Sequence, residues 1–409
     1  MNYFVFVVCG AKKHIETLNF SLCFLRYFSK FPILVITDSS RNEIQPSHDR
    51  IVDIKTPEEF DHHQASIYLK TGLYRFVPDI ENDTYCYLDS DIVSLSENCN
   101  NIFDFVPDPV LFARDHCSFQ EFSPYAMNCH CLSDFDRKKN EFVSAMKAYF
   151  PDFMPGNEDV IKTHKQLNEL FTRLKQEPIK NLSINIKYLF DRYLSPQKNI
   201  FLKNFRFNKN NRCWYDERGH MVNFDYRYHK SRLWKHQQIR FDTGNWYNKN
   251  NEIVTPQTPY CEHLCRHINS KFGMNIPPLW RHWNGGVFLF NKKSVAFLDY
   301  WHSITIKEFG DAATKTRDQA TLAVTTWKFK LEHIKTLPEE FNFIAEYGNA
   351  DIRWSQKKGY TNNGYKSSFY PAMLHIYHHW NDTDWDIWQS VKHLAEKYNI
   401  QGVMDCVIN

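Results

Sequence analysis

Two aspartates one residue apart, Asp89 and Asp91, follow Tyr87 and Leu88, and the chain then returns at once to Ile92 and Val93. Side chains alternate along a strand with a period of two, so a strand continuing through YLDSDIV turns both carboxylates to one face. Like charges that close raise each other's pKa unless a cation sits between them. The arrangement suggests a metal site. The bland alternative is that Asp-Ser-Asp opens a turn or caps a helix.

The elements that must position these carboxylates come from a chain of 409 residues, long enough for two or three domains with a large core. With 33 Phe, 22 Tyr and ordinary charge content, the composition excludes a disordered chain. A formal net charge of +3 does not imply a polyanion-wrapping protein, which would need a local patch. The apolar run Tyr3 to Val8 is far shorter than the roughly 20 residues a bilayer span requires, so it is expected to be a strand. Eleven cysteines without regular spacing are expected to be reduced thiols in a cytoplasmic protein. Cys261, His263, Cys265 and His267 alternate along one segment, with Cys129 and Cys131 far upstream. Structural zinc ligands usually come as two pairs spaced two to four residues apart; no clean second pair is visible, which favours buried or helix-face thiols.

The first hundred residues alternate strand and helix signals. Tyr3 to Val8 is strand-like, Ile15, Leu18, Leu22 and Leu25 recur at helical spacing, and Ile33 to Thr37 is a β-branched run. Ala65, Tyr68, Leu69, Gly72, Leu73 and Phe76 form one helical stripe that Pro78 stops, and Thr84 to Leu88 delivers the aspartates at its carboxyl end. This order predicts an α/β fold with a mostly parallel sheet, in which ligands sit beyond the carboxyl ends of the strands. The expected organisation is 1–112 as the first half of the core, 113–282 as a large α+β insertion, and 283–409 as the rest of the core with a helical tail. Inside the insertion, Lys198 to Arg240 reads as irregular, aromatic and basic, suited to a sugar or to single-stranded nucleic acid. Regular signals return with the strand Gly286 to Phe290, helices at Val295 and Asp318, and a last short strand over Ala372 to Tyr377.

YLDSDIV resembles the DxD motif of GT-A fold glycosyltransferases, in which both aspartates hold a divalent cation that binds the diphosphate of a nucleotide-sugar. The order of WNGGVFLFN (283–291), RDQATL (317–322), LPEEFN (337–342) and LHIYHHW (374–380) is similar to that of the glycogenin and bacterial lipopolysaccharide galactosyltransferase type. The resemblance covers roughly residues 1 to 112 and 283 to 382, and implies a GT-A, Rossmann-like sheet with helices on both faces and a hexosyltransferase activity. It implies Mn²⁺ or Mg²⁺ on Asp89, Asp91 and His375, the imidazole tilting the choice toward Mn²⁺. It assigns the nucleotide-sugar, UDP-linked first of all, to Gly10, Ala11, Asp38, Lys70, Arg75, Ser90, Asn284, Gly285, Gly286 and His378, with Asp318 and Gln319 in catalytic positions beside the sugar. A cation held by two carboxylates stabilises charge that grows on a diphosphate leaving group.

The late segment departs from its relatives, which often carry glycine, lysine and proline between histidine and tryptophan where this chain has Ile376, Tyr377, His378 and His379. The leaving-group contact therefore passes to His378 or His379, or to Lys70 and Arg75, and His378 is the alternative third metal ligand. The insertion has no counterpart, which suggests an acceptor site containing Arg227, Lys230 and Arg232 for a glycan, lipid-linked or polymer acceptor, with peripheral contact at the inner face of a membrane. Two other readings compete. A nucleotidyltransferase on the same scaffold needs a Gly-rich basic loop, of which Cys9-Gly10-Ala11-Lys12-Lys13 is a poor version. A non-enzymatic nucleic-acid binder would act through the basic aromatic passage 198–240, and nucleic acid is not the expected partner.

Overall fold

The structure, a computed structural model, describes residues 1–154, 158–242, 245–254, 258–315, 317–345, 353–356, 359–361 and 369–403. The chain forms two compact units, Met1–Cys129 with Tyr260–Asn409, and His130–Pro259. In the first, β1 (Asn2–Val7), α1 (Lys12–Phe28), β2 (Ile33–Thr37), β3 (Ile51–Asp53), α2 (His62–Thr71) and β4 (Thr84–Leu88) follow the alternation in the sequence. Then come β5 (Ile92–Ser94), β6 (Leu111–Ser118) and α3 (Phe119–Ala126). Asp61 starts α2 with a capping box, its carboxylate accepting from the Gln64 backbone while the Gln64 side chain accepts from the Asp61 backbone.

The second unit holds α4 (Cys131–Tyr149), α5 (Glu158–Gln176), α6 (Leu182–Tyr193), β7 (Asn199–Leu202), β8 (Phe205–Asn208), β9 (Cys213–Tyr215), β10 (Met221–Phe224), α7 (Tyr226–Gln237), β11 (Arg240–Asp242) and β12 (Asn245–Tyr247). The passage expected to be irregular is an antiparallel four-stranded sheet in the order β10-β9-β8-β7, followed by α7. Its strands are three or four residues long, too short to show a period in the sequence. Ile200, Leu202, Phe205, Phe207, Trp214 and Val222 still pack into one core.

The first unit resumes with α8 (His263–Phe272), β13 (Arg281–Phe290), α9 (Val295–Glu308), α10 (Asp318–Lys328), β14 (Phe343–Ile344), β15 (Arg353–Ser355), β16 (Gly359–Thr361), β17 (Met373–His375) and α11 (Asp386–Lys397). Its main sheet runs β3-β2-β1-β4-β13-β6, with β13 antiparallel to both neighbours and the other pairings parallel. This is the mostly parallel α/β architecture expected from the sequence. Residues 113–129 and 260–282 lie with this unit rather than with the insertion, because β6 pairs with β13 and α3 packs on α8.

Alternation along the strands divides the core. Phe4, Phe6, Cys86 and Leu88 join one cluster, while Val5, Val7, Tyr85 and Tyr87 join the other. Phe288 is fully buried in the second cluster, with ring centroids 4.4 Å from Phe112 and 4.9 Å from Tyr87. Phe288→Ala should cost about 3–5 kcal/mol in chemical denaturation. The exposed Val106→Ala serves as its control and should stay within about 0.5 kcal/mol of the wild type.

Candidate functional site

The carboxylates do not lie on one continuous strand. β4 ends at Leu88, Asp89-Ser90-Asp91 forms a tight turn closed by Ile92 N–H donating to the Asp89 carbonyl at 3.1 Å, and β5 then joins a second sheet, β14-β17-β5. The turn thus converges the two carboxylates where one sheet hands the chain to another. β17 lies antiparallel to β5 with His375 opposite Ile92, and Ile376 N–H donates to the Asp91 carbonyl at 3.0 Å. That register carries His375 Nε2 to 3.3 Å from Asp91 Oδ1, and single ligand atoms of Asp89, Asp91 and His375 all fall within 4.8 Å of one another.

An amide chain holds the imidazole. His375 Nδ1–H donates to Asn342 Oδ1 at 3.0 Å, Asn342 Nδ2 to Asn284 Oδ1 at 3.2 Å, and Asn284 Nδ2 to Asp115 Oδ2 at 2.9 Å. This tautomer leaves Nε2 as the atom facing Asp91. Burial alone would lower the His375 pKa, but Asp91 and Asp89 outweigh it and raise it. Burial likewise works to raise Asp115, yet His282 and hydrogen bonds from His116 and Asn284 hold it well below the usual carboxylate range.

On the other side of the turn, Lys70 Nζ lies 2.8 Å from Asp318 Oδ2 and 3.1 Å from Asp89 Oδ1. Buried Leu69 and Leu73 fix the face that this end of α2 presents. Asp318, the first residue of α10, is held by Trp301 Nε1–H donating to its carbonyl at 3.0 Å. Burial acts to lower the Lys70 pKa, but Asp318 and Asp89 outweigh it and push it above the ordinary lysine value. Tyr87, two residues before Asp89, donates its hydroxyl to Asp89 Oδ1 at 2.5 Å, and its ring centroid lies 5.2 Å from Lys70 Nζ. Burial, the largest influence, raises the Asp89 carboxyl against Lys70, and Asp91 adds to the rise. Asp91 Oδ1 and Gln319 Oε1 are buried without a hydrogen-bond donor among the described residues.

β13 closes the site from beneath. Asp89 N–H donates to the Gly286 carbonyl at 2.8 Å, and the pairing of β13 with β6 jumps register between Asn284 and Phe288. Asn284, Gly285 and Gly286 are therefore brought to the acidic turn. Lys70 Nζ would be 3.3 Å from a Cβ at Gly285.

The remaining expected residues are placed as follows. Ser90 sits in the turn, its carbonyl accepting from Ser21 Oγ at 2.7 Å. Gly10 has φ +96°, where a Cβ would meet His62 at 2.7 Å, and Ala11 starts α1. Asp38 is buried with both carboxylate oxygens taken, by Ser40 and by Thr56, so it serves the loop after β2. Arg75 pairs with Asp299 at 2.7 Å and with Tyr74, away from the acidic turn's own partners. His378 stacks on Tyr377 with centroids 4.0 Å apart, and burial lowers its pKa. Sequence reasoning passed over Tyr87, Asn342 and Asp115. The period of two would have found Tyr87, and Asn342 ends the LPEEFN stretch; Asp115 carried no signal.

In the second unit, Arg227 and Lys230 share an exposed face of α7, three residues apart, whereas Arg232 lies round the helix over Tyr228, at 5.4 Å. Arg232 lines a cavity of about 450 Å³ together with Tyr149, Asp152, Asn211, Tyr228 and His236, and Arg227 and Lys230 do not.

No family model matches the chain, and no curated protein sequence matches it. Solved structures do. The bifunctional glycosyltransferase WbbM matches at 11% identity and a TM-score of 0.41 over 99% of this chain, which spans about half of that one, 51%. The galactosyltransferase LgtC, solved with donor and acceptor sugar analogs, matches at 10% identity and 0.39 over 98% of this chain and 95% of its own. Mouse xyloside xylosyltransferase 1 matches at 9% identity and 0.35 over 92% and 97%. At such scores the likeness adds nothing to what the sheet order and the site geometry themselves show.

Gly286 is the tightest point of the site. A Cβ there would lie 2.8 Å from Asn284 Oδ1 and from His375 Cε1, and 3.0 Å from Asp89 Oδ2, all inside van der Waals contact. Gly286→Ala should destabilise the protein by about 1–3 kcal/mol, the range for overpacking a full core. Gly310→Ala, with nothing within 4 Å of its added methyl, should leave the thermal midpoint unchanged or slightly raised.

Proposed function

We propose that this chain is a metal-dependent glycosyltransferase of the GT-A type, moving a hexose from a UDP-sugar to a glycan or other surface-polymer acceptor. One observation carries the reading. Two carboxylates and a correctly oriented imidazole converge at the carboxyl end of β4 in a mostly parallel sheet, and the buried Asp91 Oδ1, 3.3 Å from His375 Nε2, has no hydrogen-bond donor among the described residues. That donor set fits Mn²⁺ or Mg²⁺ held by Asp89, Asp91 and His375, and the site has no competing protein cation on Asp91 beyond His375 among the described residues. When bound, the metal would neutralise charge growing on the leaving diphosphate.

The chain's own groups supply the rest. Asn342 holds His375 in the tautomer that presents Nε2, and Tyr87 and Lys70 fix the Asp89 rotamer. Lys70 and Asp318 form a buried pair at the edge where the donor sugar would lie; Asp318 would accept from sugar hydroxyls, and Gln319 Oε1 offers a second buried acceptor. Gly285 and Gly286, lacking side chains, let Lys70, Asp318, Asp89 and His375 close directly over β13. Arg75 and Asp38, tied up elsewhere, take no part in this arrangement. We assign the acceptor to the second unit, where Tyr228, Tyr149 and Arg232 combine flat rings with a fixed cation suited to an anionic glycan. The enzyme would act in the cytoplasm, with peripheral membrane contact where the acceptor is lipid-linked.

A screen of UDP-sugars for Mn²⁺-dependent hydrolysis tests the reading. Asp91→Ala should lower turnover by about a hundredfold or more, the scale of losing a charge-stabilising group, while the fold is kept. Full activity in that variant, or in excess chelator, would end the metal mechanism. Lys70→Ala should weaken donor binding or turnover by about ten- to a hundredfold, from the loss of a charge-assisted contact of about 1.5–3 kcal/mol, and Lys70→Arg should restore only part. Arg232→Ala should raise the acceptor KM and leave donor hydrolysis near wild type. Equal losses on both would place Arg232 outside an acceptor site.

A further inference from the structure

The cysteine-rich segment whose spacing argued against zinc has another aspect in three dimensions. Cys129 is the residue at which the chain leaves the first unit, and Cys261 and His263 stand just past Tyr260, where it returns. The Sγ atoms of Cys129 and Cys261 and a ring nitrogen of His263 all lie within 4.8 Å of one another. A tetrahedral zinc with Zn–S of about 2.3 Å holds its sulfurs roughly 3.8 Å apart, so the three groups need close by only about 1 Å.

The support around Cys261 is in place as well. Its N–H donates to the Gln120 carbonyl at 3.0 Å, which fixes its backbone on α3. The fully buried Ser123 hydroxyl accepts the Leu264 N–H at 3.0 Å and lies 3.0 Å from Cys261 Sγ, so its own proton is available to a thiolate there. Gln120 and Ser123 belong to α3 and Leu264 to the start of α8, elements that pack on each other, and Cys261 lies just before α8.

We propose that Cys129, Cys261 and His263 form a zinc site that clasps the exit and return of the chain in the first unit. Soft thiolates and an imidazole select Zn²⁺ over the harder Mn²⁺ or Mg²⁺ that suit Asp89 and Asp91. Binding displaces the thiol protons into solvent and closes a loop of about 130 residues, the kind of constraint that removes most entropy from the unfolded chain.

The test uses the full chain, purified reduced and without chelator. It should carry a zinc that a thiol-specific mercurial releases to a chromogenic chelator. After exchange to Co²⁺ it should show tetrahedral ligand-field bands and a thiolate-to-cobalt charge-transfer band. That band cannot come from the carboxylate-imidazole site, so Asp91→Ala should retain it, which separates this site from the proposed catalytic one. Cys129→Ser with Cys261→Ser should abolish the band and the mercurial-released zinc, and Cys23→Ser should change neither. A folded wild type that shows no thiolate-to-cobalt band overturns the proposal without reliance on any variant. So does retention of the zinc by a folded Cys129→Ser/Cys261→Ser protein.

Discussion

Charge compensation around one turn governs the first unit. Asp89, Asp91 and Asp318 are brought together in a partly buried pocket, where like charges repel strongly and each ionised carboxylate has lost much of its water. Lys70 answers two of them at once, and His375 faces the third. Burial first, and Asp91 after it, raise the Asp89 carboxyl against Lys70, while Asp91 and Asp89 raise the His375 imidazole against its burial. Buried carboxylates in such a cluster are tolerated in the fold because they are paired.

The backbone serves that requirement. The main sheet ends β4 at Leu88, and the three-residue turn passes the chain to a different sheet whose central strand carries the histidine. β13 must pass directly under the turn, which is why it has two glycines there and a register jump against β6. The amides of Asn342 and Asn284 then link the histidine to Asp115 on β6. Five separate stretches of sequence thus depend on each other's positions within a few ångströms.

The two units obey different constraints. The first is organised by the polar pocket at one edge of a sheet that is otherwise packed with aromatic rings on both faces. The second is a small antiparallel sheet with helices, whose basic residues stand over tyrosine rings, as Arg206 does over Tyr215 and Arg212 over Tyr228. Arg206 and Arg212 are half-buried, and their guanidinium planes are supported by the rings they cover.

Much was legible from the sequence alone. Hydrophobic periodicity marked β1, β2, α1, α2 and β4, with β2 and β4 at their observed bounds, because each of these elements buries a face long enough to impose its own period. Asp89, Asp91, His375, Lys70 and Asp318 were also named from motif order, and the structure brings them together. Tertiary structure decided what local pattern cannot encode. It made the aspartates converge through a turn rather than a strand, since the hand-over between sheets depends on pairing with β17, about 280 residues away. It tied Asp38 and Arg75 to Thr56 and Asp299, partners that no spacing rule announces. It also gathered Cys129 with Cys261 and His263, because the chain re-enters the first unit beside the point where it left, a closure visible only in three dimensions.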